Sequence, residues 1–247
     1  MIDPITDPRG AVAEFMRAAG QECPDQPVRL SPQLQELRRS LILEEIREFQ
    51  QAADLYEKYG TNDALVAVAD ALADIAYVTI GAMVAWGFTP ADPLYSQSRP
   101  NLMTDDDRMD VELLIQKYFR KYLRDAKALC DRIAEDKERG DFSIASWHRG
   151  AFAPLSPFSV LRGLRLMIGA LRVASEFYAI PLAGVFAEVH RSNMTKFVQC
   201  LQLDADCPAC RGTGYASVRR DDGKILKPPS FEPPNIAAVL RGHGRIA

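Results

Sequence analysis

The chain has 247 residues, 47% of them hydrophobic and 26% charged, a balance that supports one large buried core or two small ones. Its net charge of −3 and pI of about 5.7 exclude the broad basic footprint of a nucleic-acid binder. Five cysteines, of which only Cys207 and Cys210 are close in sequence, point away from a secreted disulfide framework.

MIDPITDPRG has neither a basic nor an apolar region of the kind a signal peptide needs, so a cytoplasmic protein is expected. A short helix near Ala11–Ala19 leads into CPDQPVRLSP; residues 1–30 form an N-terminal helix and linker. A long helix is predicted from about Pro32 to Tyr59, with Ser31 as N-cap, Pro32 in the first turn and Gly60 as terminator. Leu34, Leu37 and Leu41 draw a core-facing stripe along it, and the same steps continue onto Glu45 and Glu48, with Glu44 beside them.

The next helix is predicted from an Asp63 N-cap to about Trp86. DALVAVADALADIAYVTIGAMVAW is apolar nearly all round, as in a helix buried among others, and Asp70 and Asp74 at i and i+4 are its exceptions. The same two acids argue against a membrane span. Unpaired carboxylates there are costly, and five acids on two neighbouring helices repel one another. Arg38, Arg39 and Arg47 are the nearby cations able to pair with some of them. A divalent metal answers the remaining charge, and carboxylate oxygens suit Mg²⁺ or Mn²⁺. The bland alternative is a solvated acidic face.

Two further long helical patterns follow, roughly 109–139 and 158–179, and PLAGVFAEVHRSNMTKF makes a final helix. From Gln199 onward, YASVRRDDGKILK alternates around a DG turn like a small hairpin, and PPSFEPPNI must be extended. In HRSNMTK, Asn193 and Lys196 share one helical face near the helix end. A lysine point charge suits a phosphate and an amide can read a base edge or sugar hydroxyl; a solvated helix end is the alternative. Arg191, and Lys224 and Lys227 from the tail, are further phosphate candidates. Trp86 and Phe231 have rings able to stack on a base, although a tryptophan ending an apolar helix is ordinarily core.

EEIRE followed by DALADIAYV resembles the all-α nucleoside triphosphate pyrophosphohydrolases, the MazG-like and phosphoribosyl-ATP pyrophosphohydrolase-like group. The resemblance resumes at VFAEVHRSNMTK and DDGKILKPPSFEPPNI, so it covers roughly residues 30–90 and 180–237. That family carries ExxE on one helix and ExxD on the next. Glu45 and Glu48 match the first pair and Asp74 the last acid, while Ala71 stands where the other glutamate is usual and Asp70, one place earlier, is the candidate substitute. The resemblance implies an all-α, MazG-like bundle over residues 31–198. It also implies hydrolysis of a (deoxy)nucleoside triphosphate between its α- and β-phosphates, to monophosphate and diphosphate. Glu45, Glu48, Asp70 and Asp74 would then hold metal, with Glu44 as base or water-orienting group, in a homodimer or homotetramer without nucleic-acid or membrane partners. A degenerate nucleotide sensor and a protein-interaction scaffold are the competing readings.

Between WGFTP and IPLAGVF the resemblance lapses, leaving a helical insert at about 96–179. RGLRLMIGALRVASEFYAIPL lies under DALADIAYVTIGAMVAWGFTP without a gap, and the preceding helix has a stripe of Ile115, Tyr118, Tyr122, Leu129 and Ile133. The insert is therefore either a degenerate repeat that lost its acids or an unrelated helical pair. Residues 199–247 form a cysteine-containing hairpin and extended tail. CPACRGTG has the spacing of a zinc knuckle, with Cys200, Cys23, His190 or His243 as further ligands; reduced thiols are the alternative. His148 stands alone.

Overall fold

A computed structural model describes residues 6–88, 113, 115–121, 157–200, 210, 214–217 and 225–247. Its helices are α1 (Pro8–Ala18), α2 (Pro32–Tyr59), α3 (Asn62–Ala85), α4 (Pro157–Phe177), α5 (Leu182–Met194) and α6 (Ile236–Gly242). Residues 115–121 are helical as well. The architecture is an all-α bundle with one small two-stranded ladder, β1 (Val198–Gln199) against β2 (Tyr215–Ala216).

Local chemistry sets the long helices. The Ser31 hydroxyl accepts from the Leu34 N–H, Pro32 follows at the first helical position, and Gly60 closes α2 at φ 60°. The start of α3 differs from expectation. Thr61, not Asp63, is the N-cap, its hydroxyl accepting from the Ala64 N–H, and Asp63 sits in the first turn where a carboxylate favours the helix dipole. Gly60 and Thr61 are the whole connection, so α2 and α3 pack as antiparallel neighbours along their length.

The core stripe of α2 is also not the expected one. Arg38, Ile42, Ile46, Phe49 and Ala52 face inward, whereas Leu37 is 38% exposed. Leu34 only packs against the edge of the core. The isoleucines and Phe49 bury more apolar area together than the leucine row can, and so decide which way the helix rolls. Glu45 thereby lies on the margin of the buried stripe rather than in its centre.

α3 is the hub: α1, α2, α4, α5 and α6 all pack on it. Among the described residues it is the single helix long and apolar enough by itself to cross a membrane, but most of it is buried inside the bundle. Beyond α3, Gly87 has φ +73°, and a Cβ there would fall 1.9 Å from the Gln26 carbonyl oxygen. Only glycine lets the linker approach this closely, and the Val28 N–H bonds the Trp86 carbonyl at 3.1 Å beside it. Trp86 itself is 1% exposed and stacks on Phe88, so it is core and not a base platform.

Most of the insert lies outside the described residues, including Tyr122, Leu129, Ile133 and His148, whereas the compared segment 162–182 lies in α4 and the turn after it. Ile115 and Tyr118 are buried as the stripe required. The DG turn and Lys224 lie outside as well. Tyr215–Ala216 pairs upstream with Val198–Gln199. The tail ends in an unanticipated helix, α6, whose Asn235 cap accepts from the Ala238 N–H and whose Ile236 and Leu240 are buried.

Candidate active site

The buried row on α2 leaves Glu44 and Glu48 exposed beside it and Glu45 half-buried, facing half-buried Asp70 and Asp74 on α3. Burial first, then the charges of Asp74, Glu48, Glu44 and Asp70, push the Glu45 carboxyl up to about 8. Burial first, then Asp70, raise Asp74 to about 7, with Glu48 adding and Lys196 and Lys227 opposing. Asp70 is raised by burial and by Glu48, against Lys227. All five acids therefore share one electrostatic neighbourhood, and two lysines from elsewhere in the chain reach it.

The three arginines expected to neutralise these acids do other work. Arg38 is buried and donates to the Gln21 side-chain oxygen at 2.7 Å. Arg39 pairs with Glu36 at 2.9 Å, and Arg47 lines a separate cavity. Among the described residues, Glu45, Glu48, Asp70 and Asp74 form no hydrogen bond or ion pair. Glu45 and Asp74, raised this far, hold protons near neutral pH or take a cation.

Lys196 is held in place by a chain of hydrogen bonds that the sequence did not reveal. Its ammonium donates to Asn193 Oδ1 at 2.6 Å. The Asn193 side chain lies close enough to the Tyr77 hydroxyl to favour its ionised form, and that hydroxyl meets His190 Nδ1 at 3.0 Å. Both rings are buried, and burial lowers the His190 pKa, which favours the neutral imidazole beside the tyrosine hydroxyl. Tyr77 is one turn beyond Asp74 on the same helix, so the network joins the acid face to α5. The signal available in the sequence was Tyr77 at i+3 from Asp74 and His190 at i−3 from Asn193. Asn193 thus already uses its carbonyl on Lys196.

Lys227 comes from a strap, residues 225–235, that crosses the end of α5. Arg191 fastens it, pairing with Glu232 at 2.7 Å and Glu188 at 2.9 Å, while the Ser192 hydroxyl donates to the Glu232 carbonyl. The Asn235 N–H completes the tie to Glu188 at 2.7 Å. Arg191 is therefore a clasp for the strap, with its charge met by two carboxylates. Lys227 sits 4.8 Å from the Phe231 ring centre, and Lys196 6.0 Å from it, so that ring steadies both ammonium groups.

The oxygen donors fit a hard divalent cation such as Mg²⁺ or Mn²⁺. Among the described residues no three acid, imidazole or thiol groups are gathered into a ready metal cluster; mutually repelling carboxylates do not close up unaided. For zinc, Cys207 lies outside the described residues, and Cys200 and Cys210 are not disulfide-bonded. Cys23 packs against α1, its Sγ 3.7 Å from the Ala13 carbonyl, and His190 is committed to Tyr77. His243 is exposed at the end of α6.

Residues 12–101, just over a third of the chain, match the sequence model of the family described as phosphoribosyl-ATP pyrophosphohydrolase, which is generally metal-dependent. The match takes in the second half of α1 and all of α2 and α3, and so all five acids, but not Lys196 or Lys227. No curated protein and no solved structure matches the chain.

Proposed function

The chain carries a domain of the MazG-like and phosphoribosyl-ATP pyrophosphohydrolase-like superfamily, and from that premise we propose that it hydrolyses a nucleoside triphosphate to the monophosphate and diphosphate. The observation that carries this reading is the set of four carboxylates, Glu45, Glu48, Asp70 and Asp74, without hydrogen-bond or ion-pair partners among the described residues and opposite Lys196 and Lys227. Those four residues would hold Mg²⁺ or Mn²⁺, which when bound neutralises the polyphosphate and acidifies a water.

The chain's own groups supply the rest. Glu44, exposed next to this cluster, orients the attacking water and takes its proton. Lys196, fixed by Asn193, Tyr77 and His190, presents a positive charge to the phosphate chain, and Lys227 approaches from the strap. Both lysines favour the extra negative charge that develops as the α–β bridge oxygen leaves. The raised Glu45 and Asp74 must lose protons when a cation binds, so loading is weaker in acid. Residues 31–198 are the proposed catalytic bundle, with the tail as its strap.

The test is incubation with Mg²⁺ or Mn²⁺ and a panel of ribo- and deoxynucleoside triphosphates, with phosphoribosyl-ATP included. The expected products are a monophosphate and diphosphate in equal amounts, with none formed in chelator. Nucleotide affinity without turnover would replace this reading with a sensor, and neither affinity nor turnover would leave a scaffold.

A further inference from the structure

A cavity of about 220 Å³, apolar at Leu43, Ile46 and Phe119 and polar at its arginines and glutamines, lies between α2 and the helical segment 115–121. Leu43, Ile46, Arg47 and Gln50 line it from α2 at steps of three and four, and Gln116, Phe119 and Arg120 face them at the same spacing. On α2 this face is turned roughly 150° around the helix axis from Glu45 and Glu48, so the cavity is separate from the acid site.

Its charge is the reverse of that site. Arg47 and Arg120 both line the space, and among the described residues neither forms an ion pair. The single described bond of either guanidinium is Arg120 Nη2 to Gln116 Oε1 at 3.2 Å, a long contact to a neutral acceptor. Both arginines are exposed where they border the cavity, so an anion seated there would meet two positive charges within reach of solvent. Guanidinium forks match the tetrahedral oxygens of phosphate, and the Gln50 and Gln116 amides border the same space. Size narrows the class. A space of about 220 Å³ falls below the ~300–1,000 Å³ of sites that enclose whole drug-sized molecules, so a complete nucleotide is too large.

We propose that this cavity binds a small phosphate-class anion, orthophosphate or diphosphate, between Arg47 and Arg120. The site stands whether or not the chain hydrolyses nucleotides. If it does, its diphosphate product is a natural occupant, giving the reaction a route for feedback through α2, which carries Glu45 and Glu48 on its other side.

Calorimetric titration of the full chain in EDTA tests this, because chelation disables the acid site as a phosphate binder. Separate titrations with diphosphate, orthophosphate and sulfate identify the anion. One equivalent of a phosphate anion is expected to bind, and Arg47→Gln and Arg120→Gln should each weaken it about tenfold or more, the usual consequence of losing a charge-assisted contact. Lys196→Ala combined with Lys227→Ala should leave the affinity unchanged. Arg120→Gln lies outside α2 and stands as the independent check should Arg47→Gln unfold the chain. Absence of phosphate or diphosphate binding in EDTA, affinity unchanged from the parent chain in both arginine variants, or loss of binding in the lysine double variant would each overturn the assignment.

Discussion

Charge meets the core at two places along α2, and the protein treats them in opposite ways. Near the start, Arg38 is 4% exposed, and its Nη2 is met by acceptors although its buried Nε makes no hydrogen bond among the described residues. Gln21 accepts from it at 2.7 Å, the Met16 sulfur lies at 3.8 Å, and Gly81 on α3 leaves room for it. Two turns later Glu45 faces Asp74, and neither carboxylate has a hydrogen-bond donor among the described residues. A buried charge kept for architecture is surrounded by dipoles that replace water. Carboxylates grouped without such dipoles are unstable as anions until a cation arrives, and that is the physical difference between a structural charge and a binding site.

The largest effect should come from Asp74→Asn, which removes a charge but keeps the shape. Turnover is expected to fall at least ~100-fold, the scale of losing a group that acts on developing charge. The metal-free melting temperature should rise, because the variant relieves a like-charge cluster. Retained activity, or a metal-free protein made less stable, would reduce these acids to the same structural class as Arg38.

Next in size is the pH dependence of the metal-free protein. Glu45 and Asp74 have folded pKa values raised to about 8 and about 7 from ordinary values of 4.5 and 3.8. Below pH 4 both are protonated in the folded and the unfolded chain. Between there and about pH 8 the unfolded chain has released protons that the folded one retains, so stability should decline as pH rises through that window and level off above it. Urea denaturation at stepped pH measures the slope, and saturating Mg²⁺ should flatten it by stabilising the anions. A stability that climbs across the window would mean the acids are well solvated in the fold.

The smallest effect concerns Arg38. A Cβ at position 81 would lie 3.3 Å from Arg38 Nη1, so Gly81→Ala forces the guanidinium aside. The strain of overpacking, about 1–3 kcal/mol, is partly offset by the better helix propensity of alanine, so a net loss of about 1 kcal/mol is expected. In an Arg38→Met background the same change should be neutral or stabilising, and a thermodynamic cycle from denaturant melts reads the difference. A cost that persists without Arg38 would place the contact on the backbone instead.

The helices were legible because their signals are local. Ser31, Pro32 and Gly60 bound α2 by capping chemistry that operates within four residues, and the acids stand out against an apolar α3 by composition alone. Asn235 followed by Ile236 and Leu240 carried an equally local signal for α6, obscured by the prolines before it. Legibility failed where a residue's partner lies far along the chain. The leucine row on α2 was plausible by period, but the choice between it and Ile42, Ile46 and Phe49 rests on what α3 presents opposite. Period says how wide a buried face is, not which side wins.

By itself, then, the sequence determined an all-α chain and a pair of helices carrying Glu44, Glu45, Glu48, Asp70 and Asp74, since spacing and capping act over one or two helical turns. Tertiary structure decided which of those acids are buried, that Arg38 and Arg47 turn away from them, and that Lys196 and Lys227 turn toward them. It also decided that Tyr77 meets His190 across 113 residues and that Arg191 clasps a strap 41 residues downstream. Those contacts form only when distant segments pack on α3, and no local rule encodes which distant segment arrives.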